Sequence, residues 1–168
     1  NAIELSYSKV DVTATSNKVG GLVGYISFNG AITIEKVYSA SNVKSTGECV
    51  GGLVGKFEFY STSSKAASVE EAYATGEVIG NNKVGGLIGE VDGNGDSHTF
   101  FENKNTYTTG NVTGTQYVAG LIGYAKENKL TIENNYVIGK IEGTKNVGAI
   151  YGSYSSCSIK TKELYWTP

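Results

Sequence analysis

A six-residue string recurs five times along the chain and restricts what it can fold into. It reads Val-Gly-Gly-Leu-Val-Gly at 19–24 and 50–55, Val-Gly-Gly-Leu-Ile-Gly at 84–89 and Val-Ala-Gly-Leu-Ile-Gly at 118–123, with a degenerate copy, Val-Gly-Ala-Ile-Tyr-Gly, at 147–152. The copies start 31, 34, 34 and 29 residues apart, at 19, 50, 84, 118 and 147. Each interval is too short to bury a core alone and long enough for one supersecondary unit, so the units must stack as a solenoid.

A second landmark runs in phase with the first. Tyrosine stands at 7, 38, 73, 107, 136 and 165, and five residues after it come Val12, Val43, Val78, Val112 and Ile141. Upstream of the tyrosine lie segments such as Ile32-Thr33-Ile34-Glu35 and Leu130-Thr131-Ile132-Glu133, whose alternation and β-branched content suit a half-buried strand. One strand therefore runs up to the tyrosine, a second carries the Val/Ile, and a third is the glycine box, with Gly, Asn, Ser and Thr turns between. The only proline is Pro168, so no backbone donor is missing from the ladders. The predicted fold is all-β: a parallel β-helix (β-solenoid) of about five coils of three short strands, forming one domain over 1–168.

Glycine weakens a strand interior, so the box predicts a bulge or tight corner with φ above zero. That corner leaves room for Leu22, Leu53, Leu87, Leu121 and Ile150 to pile up inside. The box lacks the Lys-Ser/Thr ending of a phosphate loop and opens no helix, which excludes a nucleotide cradle. Strict alternation would leave Val23, Val54, Ile88, Ile122 and Tyr151 as an outward apolar stripe, unless a bulge turns them in. For the tyrosines the pattern predicts rung-to-rung ring packing of about 0.5–1.5 kcal/mol per pair, with a sugar-binding platform as the other use.

The net charge is −2 and every basic residue is a lysine, so the sequence offers neither a basic stripe nor a bidentate phosphate reader. Nucleic acid is not an expected partner. The sequence has no run of 18 apolar residues and no charged-then-apolar start, hence no expected membrane insertion and no signal peptide. It starts at Asn1, contains no methionine, and stops at Trp166-Thr167-Pro168 as if a further repeat were opening, which reads as a piece of a longer protein. Cys49 and Cys157 lie about three repeats apart, roughly 14 Å in a stack, so both are expected as thiols.

The box Gly-Leu-Val/Ile-Gly at 21–24, 52–55, 86–89 and 120–123, preceded by strands such as Val-Tyr-Ser-Ala-Ser-Asn-Val and Ala-Tyr-Ala-Thr-Gly-Glu-Val, resembles the GLUG repeat of bacterial surface proteins. The fifth copy departs from it at Ala149 and Tyr151. The resemblance implies a secreted or wall-attached β-solenoid segment, of the kind found in adhesin-like proteins and in the streptococcal immunoglobulin A proteases, which are zinc metalloproteases. It does not imply that this segment is catalytic. The motif His-Glu-x-x-His is absent and the one histidine is His98.

Glu4, Glu35 and Glu70, each three residues before a tyrosine, would form a carboxylate column at about 4.8 Å spacing, close to that of a retaining glycosidase pair. That spacing belongs to any stacked pair, and an open face offers no shelter to raise the pKa of an acid, so no catalytic residue is assigned. Asp92-Gly93-Asn94-Gly95-Asp96 begins like a calcium loop but continues with Ser97 and Asn103 where glycine and glutamate are required. His98 alone makes no zinc site, so no metal or cofactor is expected.

The coils differ most in the segments 56–68 and 90–102, which are longer than their counterparts. Length changes in a solenoid emerge on one side and often form the binding face. Phe57, Phe59, Tyr60, Asp92, Asp96, His98, Phe100 and Phe101 are therefore the predicted binding residues, on adjacent coils. The expected role is a non-catalytic stalk, spacer or docking surface, with a host or cell-surface protein, a glycan or neighbouring domains as partners. The alternatives are an accessory, substrate-presenting domain of a secreted protease and a carbohydrate-active β-helix enzyme.

Overall fold

The computed structural model describes residues 1–60, 67–93, 99–126 and 129–168. Among them every regular element is a strand and every strand pairing is parallel. The chain winds as a β-solenoid of about five turns whose coils contain the three expected extended segments. The third segment is folded over at the box, so its two halves join different ladders and the solenoid has four walls.

The tyrosine wall stacks six rungs, from Ala2–Glu4 with Tyr7–Ser8 up to the continuous strands Phe100–Thr108, Lys129–Ile138 and Ser158–Thr167. The valine wall runs from Val12–Ala14 to Ile141–Glu142. The box wall runs from Val19–Gly20 to Lys145–Gly148. Beyond the bend lies the return wall, from Val23–Asn29 through Val54–Tyr60 and Ile88–Asp92 to Tyr151–Ser155. Register keeps the sequence columns intact: Tyr73 pairs with Tyr38 and Tyr107, and Val84 with Val50 and Val118.

The bend settles the apolar stripe. Leu53, Leu87 and Leu121 are fully buried, and so are Val54, Ile88 and Ile122 immediately after them. The chain turns between the two walls at this point, so consecutive side chains both point inward and no outward stripe forms. The interior has two lobes. One lies between the tyrosine and return walls, and a smaller one of Val43, Val50, Val78, Val84, Val112 and Val118 lies between the valine and box walls.

The glycines of the box act by close approach and not by positive φ, which among the described glycines occurs only at Gly30 and Gly139. A Cβ built on Gly52 would sit 2.1 Å from the Gly86 carbonyl oxygen and 2.9 Å from Ala74 Cβ; one on Gly86 would sit 2.1 Å from the Gly120 carbonyl oxygen. These glycines form the waist between the lobes, where each coil lies directly against the next. Apart from Ser156, left-handed backbone at the described non-glycine residues falls on two other columns. Lys18, Cys49, Lys83, Tyr117 and Asn146 precede each box with φ of 54–61°, and Leu5, Lys36, Glu71, Asn105, Asn134 and Glu163 stand two residues before each tyrosine with φ of 48–54°. Both columns turn corners of the coil, at about 1–2 kcal/mol for each residue that is not glycine or asparagine.

Candidate functional site

The described ends of the two longer segments belong to regular walls, 56–60 to the return strand Val54–Tyr60 and 100–102 to the tyrosine-wall strand Phe100–Thr108, and this fixes what their aromatic residues do. In Lys56-Phe57-Glu58-Phe59-Tyr60 alternation sends Phe57 and Phe59 inward, where with Phe101 they are fully buried. The Phe57 ring centroid lies 6.0 Å from that of Phe59 and 5.1 Å from that of Phe101, both in edge-on contact. These three rings fill the wider coil interior and present no surface, a correction to their expected place in a binding patch. Tyr60, Asp92 and Phe100 do reach the outside, and Lys129 Nζ lies 5.6 Å from the Phe100 ring centroid. Asp96 and His98 fall outside the described residues.

Alternation also sends Lys56, Glu58 and Tyr60 outward, and register aligns Lys56 with Tyr25 and Glu90, and Glu58 with Asp92. Lys56 Nζ lies 2.8 Å from Asp92, 3.4 Å from Glu90 and 3.5 Å from Glu58. Burial works to discharge this ammonium, but the hydrogen bond to Asp92 and the three carboxylates outweigh it and hold its pKa above the usual lysine value. Glu58 accepts from the Tyr25 hydroxyl at 2.5 Å and the Tyr60 hydroxyl at 2.7 Å, which keep it below the usual carboxylate range. Glu90, only 4% exposed, is also paired with Lys83 and accepts the Cys49 thiol at 3.1 Å. Lys18 lies 3.7 Å over the Tyr25 ring.

This hub of lysines and acids was not anticipated, although the alternation of Lys56-Phe57-Glu58-Phe59 carries its signal. Chemically it is closed. Burial, followed by the charge of Glu90, pushes the Cys49 thiol up to about 12, so it is a neutral donor and not a nucleophile near neutral pH. Cys157 is likewise a thiol. The hub ties the first three coils together across the return wall. Among the described residues there is no cleft and no group of three metal-ligating side chains.

The tyrosine wall presents the other ordered surface. Ser39, Ala74, Thr108 and Val137 point inward, so the tyrosine before each stands outward. Tyr7, Tyr38, Tyr73 and Tyr107 form a continuous ring stack with centroids 5.0, 4.8 and 4.6 Å apart and planes within 6° of parallel. Each inner ring is covered on both faces, so edges and hydroxyls meet solvent, which removes the ring faces a sugar-stacking platform needs. Burial and the neighbouring Tyr73 hold the Tyr107 phenol above its usual pKa. Three residues upstream, Glu4, Glu35 and Glu70 occupy one outward column in register, with Lys104, Glu133 and Lys162 continuing it. Lys36 lies 3.6 Å from Glu35, and Lys162 3.0 Å from Glu133.

Fold and surface together define a parallel β-solenoid whose side chains are organised in axial ladders. No protein-family model matches the chain, and neither a curated protein nor a solved structure matches it.

Proposed function

We propose that this chain is a non-catalytic solenoid module serving as a stalk or docking surface in a bacterial cell-surface protein. One observation carries the reading. The outward charged and aromatic groups are spent on neighbours along the axis, in the Lys56 hub and the tyrosine stack, instead of converging on a reacting centre. Such ladders hold each rung to the next, which is what a load-bearing or spacing element requires. The likeness of the box to the GLUG repeat supports an extracellular, secreted or wall-attached setting.

The competing reading as a carbohydrate-active enzyme rests on Glu35 and Glu70. They sit on an open face, so neither has the sheltered site that sets a general acid apart from its partner. Incubation of the chain with an acidic polysaccharide, followed by reducing-end and unsaturated-product assays, is expected to give no turnover. Turnover that disappears in the Glu35→Gln, Glu70→Gln double variant overturns the proposal.

A further inference from the structure

We propose that the stacked tyrosines are a site of oxidative crosslinking, where a dityrosine bond between Tyr73 and Tyr107 staples one coil to the next. The inference goes beyond the module reading, and its test does not rely on it.

Carbon-to-carbon coupling of two phenoxyl rings joins orbitals that stand perpendicular to each ring, so it needs the rings held face to face. Tyr38, Tyr73 and Tyr107 meet that need, with planes 4° and 6° apart and centroids at 4.8 and 4.6 Å. Elsewhere the paired rings are inclined, Tyr117 to Tyr124 by 44° and Tyr151 to Tyr154 by 79°. Tyr136 pairs with Tyr107 in register, yet no ring contact joins them among the described residues. Within the stack, Lys9 holds an ammonium 5.3 Å from the Tyr7 ring and 5.9 Å from the Tyr38 ring, which opposes loss of an electron there. Tyr73 and Tyr107 are the closest pair and lie further from that charge.

The stack also favours coupling over other fates. Each phenol edge meets solvent, where an oxidant reaches it, while a neighbouring ring covers the face. The chain has no methionine to take up oxidising equivalents, Cys49 is buried, and the one tryptophan, Trp166, sits two rungs beyond Tyr107. A peroxidase-class oxidant, with hydrogen peroxide as terminal acceptor, removes one electron from each phenol, and each phenolic proton passes to water. The two radicals join ortho carbon to ortho carbon. Each joined carbon then gives up its hydrogen as a proton while its ring oxygen takes one, which restores both phenols. Peroxide leaves as two waters, and the protein is lighter by two hydrogens. The bond closes a loop through the denatured chain and so resists unwinding of the coils.

Peroxidase with limiting hydrogen peroxide, applied to the folded chain at increasing dilution, tests this. The expected product is a monomer lighter by two hydrogens that shows dityrosine fluorescence, with a yield per chain independent of dilution. Tryptic digestion should join peptide 66–83, whose one tyrosine is Tyr73, to peptide 105–126, with fragmentation placing the bond at Tyr107. Tyr73→Phe keeps the ring and removes the phenol that both inner pairs share, so most of this product should be lost, whereas Tyr136→Phe should leave the yield unchanged. Dityrosine formed only between chains, a bond mapped to tyrosines outside the stack, or an undiminished yield in Tyr73→Phe overturns the inference. If that variant fails to fold, the peptide map of the unaltered chain decides. The polysaccharide turnover assay reports separately on the module reading, so either can fail alone.

Discussion

At the scale of single residues, the positions that constrain the coil are those where two backbones touch. Gly86 is one: its Cα faces the Gly120 carbonyl of the next coil, and a methyl group there can be housed only by moving main chain. Gly86→Ala should therefore destabilise by about 2–3 kcal/mol, read as a lower urea midpoint. Ala149 holds the equivalent place in the fifth copy, in the last coil of the structure, where no following carbonyl lies over it. Ala149→Gly should accordingly change the midpoint little, and equal effects at the two sites would contradict the close-approach account. The left-handed corners follow a different rule. Asn105 and Asn134 suit φ above zero, whereas Leu5, Lys36 and Glu71 tolerate it because the flanking ladders hold them there.

At the scale of elements, the return wall is organised by Lys56. Removing its ammonium leaves Glu58, Glu90 and Asp92 facing one another, so Lys56→Met should cost about 2 kcal/mol, between the values for exposed and fully buried pairs. The wall also sets a pH window. Glu58 has its pKa lowered by folding, so its contribution is present above the unfolded carboxylate value and lost as pH falls below about 4. Cys49 is raised from 9.0 to about 12, so stability is intact below 9.0 and declines as pH climbs toward the folded value. Urea midpoints measured across pH should fall at both ends, and Cys49→Ala should remove part of the alkaline fall. An alkaline limb identical in the two proteins would show that the thiol plays no part.

At the scale of the whole molecule, the solenoid is a sum of coils and neighbour contacts. Lys104 pairs with Glu133, so deleting residues 105–133 joins two points in the same register and removes one coil. The shortened chain should remain folded and its long axis should contract by about 4.8 Å, measurable by small-angle scattering. A deletion one residue shorter, 105–132, places Glu133 directly after Lys104, one residue out of register; it moves every inward side chain after it to the other face and should unfold the chain beyond that point. Collapse of both deletion variants would mean that the coils are not interchangeable.

The recurring box and the in-phase tyrosines determine the repeat unit, the stacking and the inward columns, because a period shared by apolar residues has only one way to bury them all. Outward neighbours are harder to read. Phe57 and Phe59 look like binding residues in a lengthened segment, and only their place in the return strand Val54–Tyr60 shows that alternation buries them, with Phe57 against Phe101. The hub around Lys56 draws on residues from separate coils, so its geometry depends on register. The sequence by itself determined a parallel stack of glycine-waisted coils, since periodicity is a local and linear property. Only the tertiary structure decided the bend that folds both box residues inward, the left-handed corners away from glycine, and which of the tyrosines stack. Those depend on how one backbone lies against the next, a distance that no spacing along the chain encodes.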